Sequence, residues 1–387
     1  MVNLDNPFTY ENSENPWLMN HKNESALEIN NKKITAEYLW TLNSEQRIQC
    51  LNDVFSYYRK NGFPYERYTD EHIIKQFNKL KKYDISKVIN EEGFISNSGH
   101  LCLDVCRHFC YDKFWKASSE TMMSIEDVFN DDTAFLKVLK NRMGWNTSSE
   151  DGNDRPYMFT ISDKMILTGI RNSAQGYGVS NFRPTIAKFI YQKYLQDIYS
   201  PTVFDYSGGW GARALAAASL NYNYYATDPL TSENINTLGN FLKTNNLITS
   251  TIKCFNSGSE ITETYKNIPQ VDMCMSCPPY FNLEVYSDNE TQSYNEHKNF
   301  DEWIKTYWTY TVNNCNSILK KDGFFVLIIK DYYKDLPLKD KMVEIVNNLG
   351  YTLIDTYQYK TSNSHLSGKI KTGKNTKTSE YVIVWRK

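Results

Sequence analysis

The chain has 387 residues, with 43 basic and 45 acidic side chains and a formal net charge of -2. Hydrophobic residues make up 41% and charged residues 23% of the sequence, which is an ordinary globular composition and excludes wholesale disorder. The near-neutral balance argues against a protein that coats nucleic acid with its whole surface, although it permits a local basic face. At about 150 residues per domain, this length predicts two domains or one elaborated domain.

Neither a membrane segment nor a disulfide framework is expected. No run of about 18 apolar residues is present, and residues 1–6 lack the basic-then-apolar pattern of a signal peptide. The eight cysteines are sparse and irregularly spaced, so we expect reduced thiols. We therefore expect a cytoplasmic protein with no membrane partner, and the oligomeric state stays open.

The first 150 residues are predicted to be mainly helical. Residues 101–116 are amphipathic, and Ser124 with Asp127 opens a second helical pattern that runs to about Arg142. A polar stretch at 146–156 is the best candidate for a linker. We therefore predict a helical N-terminal region over residues 1–150 and a second domain over residues 157–387.

From residue 184 onwards, short strands alternate with helices, which predicts a doubly wound, parallel α/β sheet with ligands at the carboxyl ends of its strands. Gly323 is predicted to cap the C-terminus of the last helix, at 301–320. Helices are predicted at 184–199, 212–220, 232–245 and 301–320, and strands at 202–206, 224–227, 252–255, 271–276, 324–329, 351–359 and 381–385.

A glycine-rich turn joins the predicted strand at 202–206 to the following helix. Its sequence at 205–213 is Asp-Tyr-Ser-Gly-Gly-Trp-Gly-Ala-Arg, and the glycines permit a tight turn and close approach of a ligand. About twenty residues later, Asp228 ends the next strand, where a carboxylate accepts hydrogen bonds from ribose hydroxyls. A dinucleotide fingerprint would need glycine at Ala214, and a phosphate-loop Lys-Ser/Thr pair is absent. These features predict an adenosine-type cofactor.

The most informative motif, Cys277-Pro278-Pro279-Tyr280, follows the predicted strand at 271–276. It resembles the (D/N/S)-P-P-(Y/F/W) motif of S-adenosylmethionine-dependent amino-methyltransferases of DNA, and the glycine turn resembles the first motif of that family. In such a site, a polar first residue and a proline carbonyl accept the two N–H bonds of an exocyclic amine, so that its lone pair faces the methyl donor. The prolines fix the backbone, and the aromatic residue stacks on a flipped-out base.

The resemblance covers roughly residues 178–387. It implies a Rossmann-like methyltransferase sheet with an antiparallel last strand, S-adenosylmethionine as cofactor and DNA as partner. Arg183 would pair with the cofactor carboxylate, and Ser257 and Glu260 would lie near its adenine. The implied catalytic residues are Cys277, Pro278, Pro279 and Tyr280, and the implied cofactor-binding residues are Phe182, Arg183, Asp205, Ser207, Gly208, Gly209, Gly211, Asp228, Ser257 and Glu260.

Cys277 departs from the motif, because Asp, Asn or Ser is expected there and a thiol is a weak hydrogen-bond partner. Ser276, a backbone carbonyl or a thiolate could then be the first acceptor. A cysteine could also add to C6 of a pyrimidine and direct methylation to C5. RNA as substrate and a non-catalytic nucleic-acid-binding module are further alternatives, and the choice between adenine N6 and cytosine N4 stays open.

Two lysine clusters are candidates for contact with nucleic acid. The loop between the last two predicted strands has no acidic residue, so its lysines would attract phosphates in a salt-dependent way, although an ordinary solvated loop is the alternative. The loop lysines are Lys360, Lys369, Lys371, Lys374 and Lys377, and the second cluster is Lys75, Lys79, Lys81 and Lys82.

By elimination, the region 1–150 is the candidate for recognition of DNA sequence. The polar stretch 288–298 is long enough for a lid over a flipped base.

Three cysteines, Cys102, Cys106 and Cys110, are spaced to share one helical face. Zinc sites more often pair cysteines two to four residues apart across a turn, so a buried thiol stripe is the favoured interpretation. No metal is expected.

Overall fold

The computed structural model describes residues 25–91, 93–95, 99–119, 121–144, 159–172, 176–282, 285–286, 292–297, 299–330, 336–360 and 379–387. The predicted linker at 146–156 lies outside these residues, as do Lys369, Lys371, Lys374 and Lys377, and for Lys360 only the backbone is described.

The chain forms two compact units. One contains described residues up to His72 together with Trp115–Val179, and the other contains Ile73–Phe114 together with Ser180–Lys387. The segment Ile73–Phe114 thus belongs to the same unit as the sheet predicted in the C-terminal half. The assignment of separate roles to residues 1–150 and 157–387 stays a prediction.

The N-terminal half is mainly helical, as predicted. Its elements are β1 (Glu28–Ile29), β2 (Lys32–Lys33), α1 (Ala36–Thr41), α2 (Ser44–Asn61), α3 (Asp70–Lys81), a 3-10 turn (Ile85–Val88), α4 (Leu103–Phe109), α5 (Tyr111–Phe114), β3 (Met123–Ser124), α6 (Ile125–Asn130), α7 (Asp132–Arg142), α8 (Asp163–Asn172) and β4 (Gly176–Tyr177).

The helix predicted from Ser124 to Arg142 forms, but as two helices. Ser124 caps α6 by accepting a hydrogen bond from the Asp127 N–H at 3.0 Å. Asp131 then ends α6 and caps α7, because its carboxylate accepts from the Ala134 N–H at 2.7 Å. A short polar side chain that bonds its own backbone interrupts a helix in this way.

The C-terminal half alternates strands and helices. Its elements are α9 (Pro184–Leu195), β5 (Thr202–Asp205), α10 (Ala212–Ser219), β6 (Asn223–Thr227), α11 (Ser232–Thr244), β7 (Ile252–Phe255), a 3-10 helix (Thr262–Asn267), β8 (Val271–Ser276), α12 (Ser293–Glu296), α13 (Phe300–Trp303), a π-helical turn (Ile304–Trp308), α14 (Thr309–Ile318), β9 (Leu319–Lys330), α15 (Leu338–Asn347), β10 (Thr352–Lys360) and β11 (Ser379–Arg386).

Seven of the described strands form one sheet in the order β10-β11-β9-β8-β5-β6-β7. The pairs β5–β6, β6–β7, β5–β8 and β8–β9 are parallel, whereas β11 is antiparallel to both of its neighbours. The predicted mostly parallel sheet with an antiparallel last strand is confirmed. The chain order reverses between β5 and β8, so the crevice for a ligand is expected at the carboxyl ends of these two strands.

Both faces of the sheet are covered, as a doubly wound fold requires. Along β9, Val326 and Ile328 point to one face and pack in a core with α9, α10 and α11. Their neighbours Phe325, Leu327 and Ile329 point to the other face and pack with α14 and α15. This alternation follows from the two-residue period of a strand and explains why β9 is apolar on both faces.

The predicted role of Gly323 as a helix cap is wrong. The helix α14 ends at Ile318, and Gly323 lies inside β9, where the pairing register with β8 shifts. A Cβ at Gly323 would lie 3.0 Å from the carbonyl oxygen of Asp272, so glycine permits a close approach of two backbones there.

None of the helices in the described ranges is long and apolar enough to cross a bilayer.

Candidate active site

The glycine turn lies where β5 ends and α10 begins. Gly209 and Gly211 have φ angles of +56° and +80°, a left-handed conformation that favours glycine. Gly208 has another reason to be glycine, because a Cβ there would lie 2.7 Å from Cδ1 of Ile235. The backbone conformation thus favours glycine at Gly209 and Gly211, and the packing of Ile235 favours it at Gly208.

Asp205 supports this turn from the interior. Its side chain is fully buried, and Oδ2 accepts hydrogen bonds from Nε of Arg213 and from the Tyr224 hydroxyl, both at 2.6 Å. Oδ1 accepts from the N–H of Ser207 at 3.1 Å, and the Arg213 guanidinium also donates to the Ser207 carbonyl. Burial alone would lower the pKa of Arg213, but the Asp205 carboxylate together with Tyr224 and Cys277 outweighs it and raises that pKa. The described contacts of Asp205 shape the turn, and its contact with a cofactor stays a prediction.

Asp228 binds the same turn from the end of β6. Its Oδ2 accepts from the Gly209 N–H at 2.8 Å, and its Oδ1 accepts from the N–H groups of Leu230 and Thr231 at 2.9 and 2.8 Å. Burial raises the pKa of Asp228, and these backbone hydrogen bonds oppose that rise. A carboxylate has about four acceptor positions, so the described contacts leave one on Oδ2 for a ligand hydroxyl.

Phe182 and Arg183 lie at the start of α9, beside the glycine turn. The Phe182 ring centroid is 5.4 Å from the guanidinium carbon of Arg213. Arg183 Nη1 contacts Nδ1 of His100 at 2.7 Å. Burial, together with the charges of Arg183 and Arg107, lowers the pKa of His100, so the neutral imidazole accepts this hydrogen bond.

The loop after β7 places a carboxyl group with one unsatisfied oxygen. Oε2 of Glu260 is buried and has no hydrogen-bond partner among the described residues. Burial raises the pKa of Glu260, a backbone hydrogen bond opposes this, and the nearby charge of Glu296 adds to the rise. Ser257 bonds the Gly258 carbonyl at 3.0 Å and Oγ1 of Thr264 at 2.7 Å. A buried acceptor without a partner is a feature that a ligand donor would satisfy.

The Cys277–Tyr280 motif forms the turn at the carboxyl end of β8. Pro278 is buried, and Cys277, Pro279 and Tyr280 are partly exposed. The next residue, Phe281, has a φ angle of +52°, which is a strained conformation for a bulky side chain. Rings of Tyr294, Phe300 and Trp303 surround Phe281 at centroid distances of 5.5 to 5.9 Å and hold it in place.

The glycine turn and the Cys277–Tyr280 motif are joined by hydrogen bonds. Ser276 Oγ donates to the Ser207 carbonyl at 3.2 Å. The Tyr206 hydroxyl donates to the Val326 carbonyl at 2.8 Å and contacts the Ser276 carbonyl at 3.4 Å. The carboxyl ends of β5 and β8 are therefore tied to each other, and the residue after β5 is also tied to the middle of β9.

Aromatic rings from distant parts of the sequence cover the glycine turn. Trp210 lies between Phe114, at a centroid distance of 5.1 Å, and Tyr286, at 6.0 Å. Of the predicted lid at 288–298, the described part is 292–297, which contains α12. Its role as a lid stays a prediction.

Several site residues were missed by the sequence analysis. Glu380 accepts a hydrogen bond from the Tyr280 hydroxyl at 3.2 Å, although it follows that tyrosine by 100 positions. His100 comes from the N-terminal half, and Asn181 has a buried amide that interacts with the Cys106 thiol. Asn181 is next to Phe182 and could have been found from that motif, whereas no local pattern marks His100 or Glu380.

The cysteine stripe is buried, as predicted. Cys102, Cys106 and Cys110 are at most 1% exposed, and burial raises the pKa of each thiol. Across the described part of the chain, no group of three or more His, Cys, Asp or Glu side chains is arranged to hold a metal ion.

The strand order and the glycine turn define the class as a Rossmann-like α/β protein, in which the Cys277–Tyr280 turn follows the strand next to the glycine turn. No family model and no curated protein matches the sequence.

Solved structures with a similar fold include TrmN from Thermus thermophilus, with 16% identity over 53% of this chain and 48% of that chain and a TM-score of 0.36. The match spans about half the length of TrmN. An S-adenosylmethionine-dependent methyltransferase from Agrobacterium tumefaciens has 13% identity over 55% and 64% of the two chains, with a TM-score of 0.38. A methyltransferase from Pyrococcus furiosus has 16% identity over 57% and 93%, with a TM-score of 0.34.

Proposed function

We propose that this protein transfers a methyl group from S-adenosylmethionine to the exocyclic amine of adenine (N6) or cytosine (N4) in DNA, at a base flipped out of its duplex. The observation that carries the proposal is the 3.2 Å hydrogen bond from Ser276 to Ser207. The bond joins the residue just before the motif that resembles a target-amine site to a residue of the turn that resembles a cofactor site. Direct transfer between two bound molecules requires such adjacency.

The residues at the crevice fit the proposed cofactor. Asp228 retains an acceptor position for a ribose hydroxyl, and Arg183 offers a cation for a carboxylate. The unsatisfied Oε2 of Glu260 would accept from an amino group such as that of adenine. When bound, S-adenosylmethionine supplies an electrophilic methyl group, so the protein itself only has to orient an amine toward it.

The target base would be held by the Cys277–Tyr280 turn. Tyr280 presents a partly exposed ring for stacking, and the two prolines make the turn stiff. The carbonyl of Pro278 and the side chain of Cys277 are the candidate acceptors for the two amine N–H bonds. When these acceptors hold both hydrogens, the nitrogen lone pair faces the methyl donor. Preorganised acceptor dipoles thus orient the amine.

Binding to DNA is supported by the motif and by lysines. Lys75, Lys79 and Lys81 of the second cluster lie on α3, and Lys82 follows directly after this helix. The loop lysines and the region 1–150 remain the candidates for contact with the DNA backbone and for sequence recognition. A salt-dependent affinity for DNA would support these roles.

Mass spectrometry of nucleosides from DNA and RNA of cells that express the protein tests this function. We expect N6-methyladenine or N4-methylcytosine in DNA, and we expect the Tyr280→Ala variant to lose it. Tyr310→Ala is the matched control, because Tyr310 is 54% exposed on α14. A methylated base in RNA alone would move the substrate to RNA, and no methylated base in either polymer would refute the proposal.

Cytosine C5 methylation is a second candidate, because Cys277 is the one cysteine of the eight that is not buried. A covalent mechanism needs this thiol as its nucleophile, so Cys277→Ser would abolish turnover. Amine methylation predicts instead that the serine variant stays active, since a hydroxyl is a better acceptor than a thiol. The modified base and the activity of this variant together separate the two reactions.

A further inference from the structure

Three side chains at the Cys277–Tyr280 turn form a hydrogen-bonded chain that begins on the last strand. Glu380 lies on β11, in register with Lys330 of β9, and its Oε1 accepts from the Tyr280 hydroxyl at 3.2 Å. The same hydroxyl oxygen lies 3.1 Å from Sγ of Cys277. The chain therefore runs from a carboxylate, through a phenol, to the thiol at the first position of the motif.

The direction of the hydrogens follows from the chemistry of these groups. An ionised carboxylate only accepts, and a tyrosine hydroxyl has a single hydrogen. Since Tyr280 donates that hydrogen to Glu380, its contact with Cys277 must use the hydrogen of the thiol. Cys277 then donates to Tyr280, and its sulfur lone pairs are directed away from the tyrosine.

We propose that Glu380 is a positioning residue which, through Tyr280, orients the thiol of Cys277 as the acceptor for one N–H of the target amine. This inference rests on the proposed function. Asp or Asn at the first position would carry an oxygen that only accepts, whereas a thiol accepts weakly and only where its lone pairs face. The hydrogen-bonded chain supplies that orientation, and a thiol that donates its hydrogen to Tyr280 is not the thiolate that C5 chemistry requires.

Alkylation of the thiol tests the direction of the chain without any need for activity. The other seven cysteines are buried, so iodoacetamide reports on Cys277 in the native protein. The described groups near this thiol include Tyr280, Glu380 and Arg213, which is itself paired with Asp205.

We expect Glu380→Gln to lower the midpoint pH of Cys277 alkylation by about one unit. Glutamine can donate to the Tyr280 oxygen, which turns the tyrosine hydrogen toward sulfur, and the variant also removes a nearby negative charge. Both changes stabilise the thiolate. Glu344→Gln, an exposed glutamate that pairs with Lys341, is the control and should leave the midpoint unchanged. An unchanged midpoint in Glu380→Gln would overturn the proposed direction.

A double-mutant cycle on methyl transfer tests the consequence for the reaction. Glu380→Gln should lower kcat about tenfold and leave KM for DNA and for the cofactor unchanged, because orientation of the amine is lost and binding is not. In a Cys277→Ala background the same substitution should have no further effect. Equal losses in both backgrounds would show a merely structural role for Glu380 and overturn the proposal.

Failure of the proposed function and failure of the role of Glu380 give different results. Absence of any base methylation by the wild-type protein would refute the proposed function, and with it the role of Cys277 toward an amine. The alkylation midpoint would still decide whether Glu380 controls the thiol.

Discussion

At the scale of single residues, buried carboxylates hold the glycine turn in its shape. Asp205 is inaccessible to solvent and pairs with the guanidinium of Arg213, which is itself buried. Asp228 accepts three backbone N–H groups around the same turn. Both side chains thus hold the glycines of the turn in their observed backbone conformation.

We expect Arg213→Met to destabilise the protein by about 3–5 kcal/mol, because it leaves the charge of Asp205 buried without its partner. The double variant Asp205→Asn with Arg213→Met should recover part of this loss. Urea unfolding measures both effects. Arg386→Met is the matched control, since its pair with Asp322 is exposed and should contribute less than about 1 kcal/mol. Equal losses for Arg213→Met and Arg386→Met would contradict the prediction.

Asp228→Asn should weaken binding of S-adenosylmethionine at least about tenfold. The amide retains one accepting oxygen, but its NH2 group would face the N–H of Gly209. Both groups are donors, so this hydrogen bond would be lost. Isothermal titration calorimetry measures this affinity. The exposed Asp197→Asn is the control, and an unchanged affinity in Asp228→Asn would show that Asp228 does not support the site.

At the scale of elements, a buried lysine connects two helices of the unit that contains the sheet. Lys188 of α9 is 3% exposed, and its ammonium group donates to the carbonyls of Leu80, Lys81 and Tyr83 at 2.8 to 3.1 Å. The first two carbonyls belong to the last turn of α3, and Tyr83 follows two residues after the helix. The Leu80 carbonyl also accepts from the N–H of Tyr83 at 3.1 Å, and the helix dipole favours a cation at this end. Burial lowers the pKa of Lys188.

Lys188→Met should therefore destabilise the protein by about 1–3 kcal/mol, because methionine fills the space but removes the donor that the carbonyls of Leu80, Lys81 and Tyr83 share. Chemical unfolding and proteolysis of α3 measure the effect. Lys87→Met, in an exposed position of the following 3-10 turn, is the matched control. Unchanged stability in Lys188→Met would mean that water replaces the ammonium group at no cost.

At the scale of the whole molecule, stability should depend on pH through Asp163, in the unit that holds most of the N-terminal helices. Burial raises the pKa of Asp163 from 3.8 to about 7, although the Tyr58 hydroxyl donates to it at 2.9 Å and opposes the rise. Between these two pKa values, the folded state keeps a proton that the unfolded state has lost. The free energy of unfolding should therefore fall as the pH rises from about 4 to about 7.

Asp163→Asn should remove this dependence, so the variant should gain stability relative to the wild type as the pH rises and level off above about pH 7. Urea unfolding at a series of pH values, followed by circular dichroism, gives the difference. Parallel curves for the two proteins would show that Asp163 ionises in the folded state as readily as in the unfolded chain.

Much of the architecture follows from local sequence. The alternation of apolar runs and helical patterns predicted the sheet, and the turn sequences located the glycine turn and the Cys277–Tyr280 motif. Prediction from local sequence was wrong where a side chain replaced a backbone carbonyl as hydrogen-bond acceptor. Asp131 does so and splits a predicted helix into α6 and α7. Such prediction was also wrong at Gly323, where contact with a neighbouring strand decided the conformation.

By itself, the sequence determined the class of the sheet, its glycine turn and the positions of the two motifs, because period and turn chemistry act over a few residues. Only the tertiary structure brought His100 to Arg183 and Glu380 to Tyr280, across 83 and 100 positions of the chain. Such contacts depend on strand order and on which elements pack over the sheet edge. No residue nearby in the sequence specifies these contacts. Only the folded chain therefore decides which distant segments are paired.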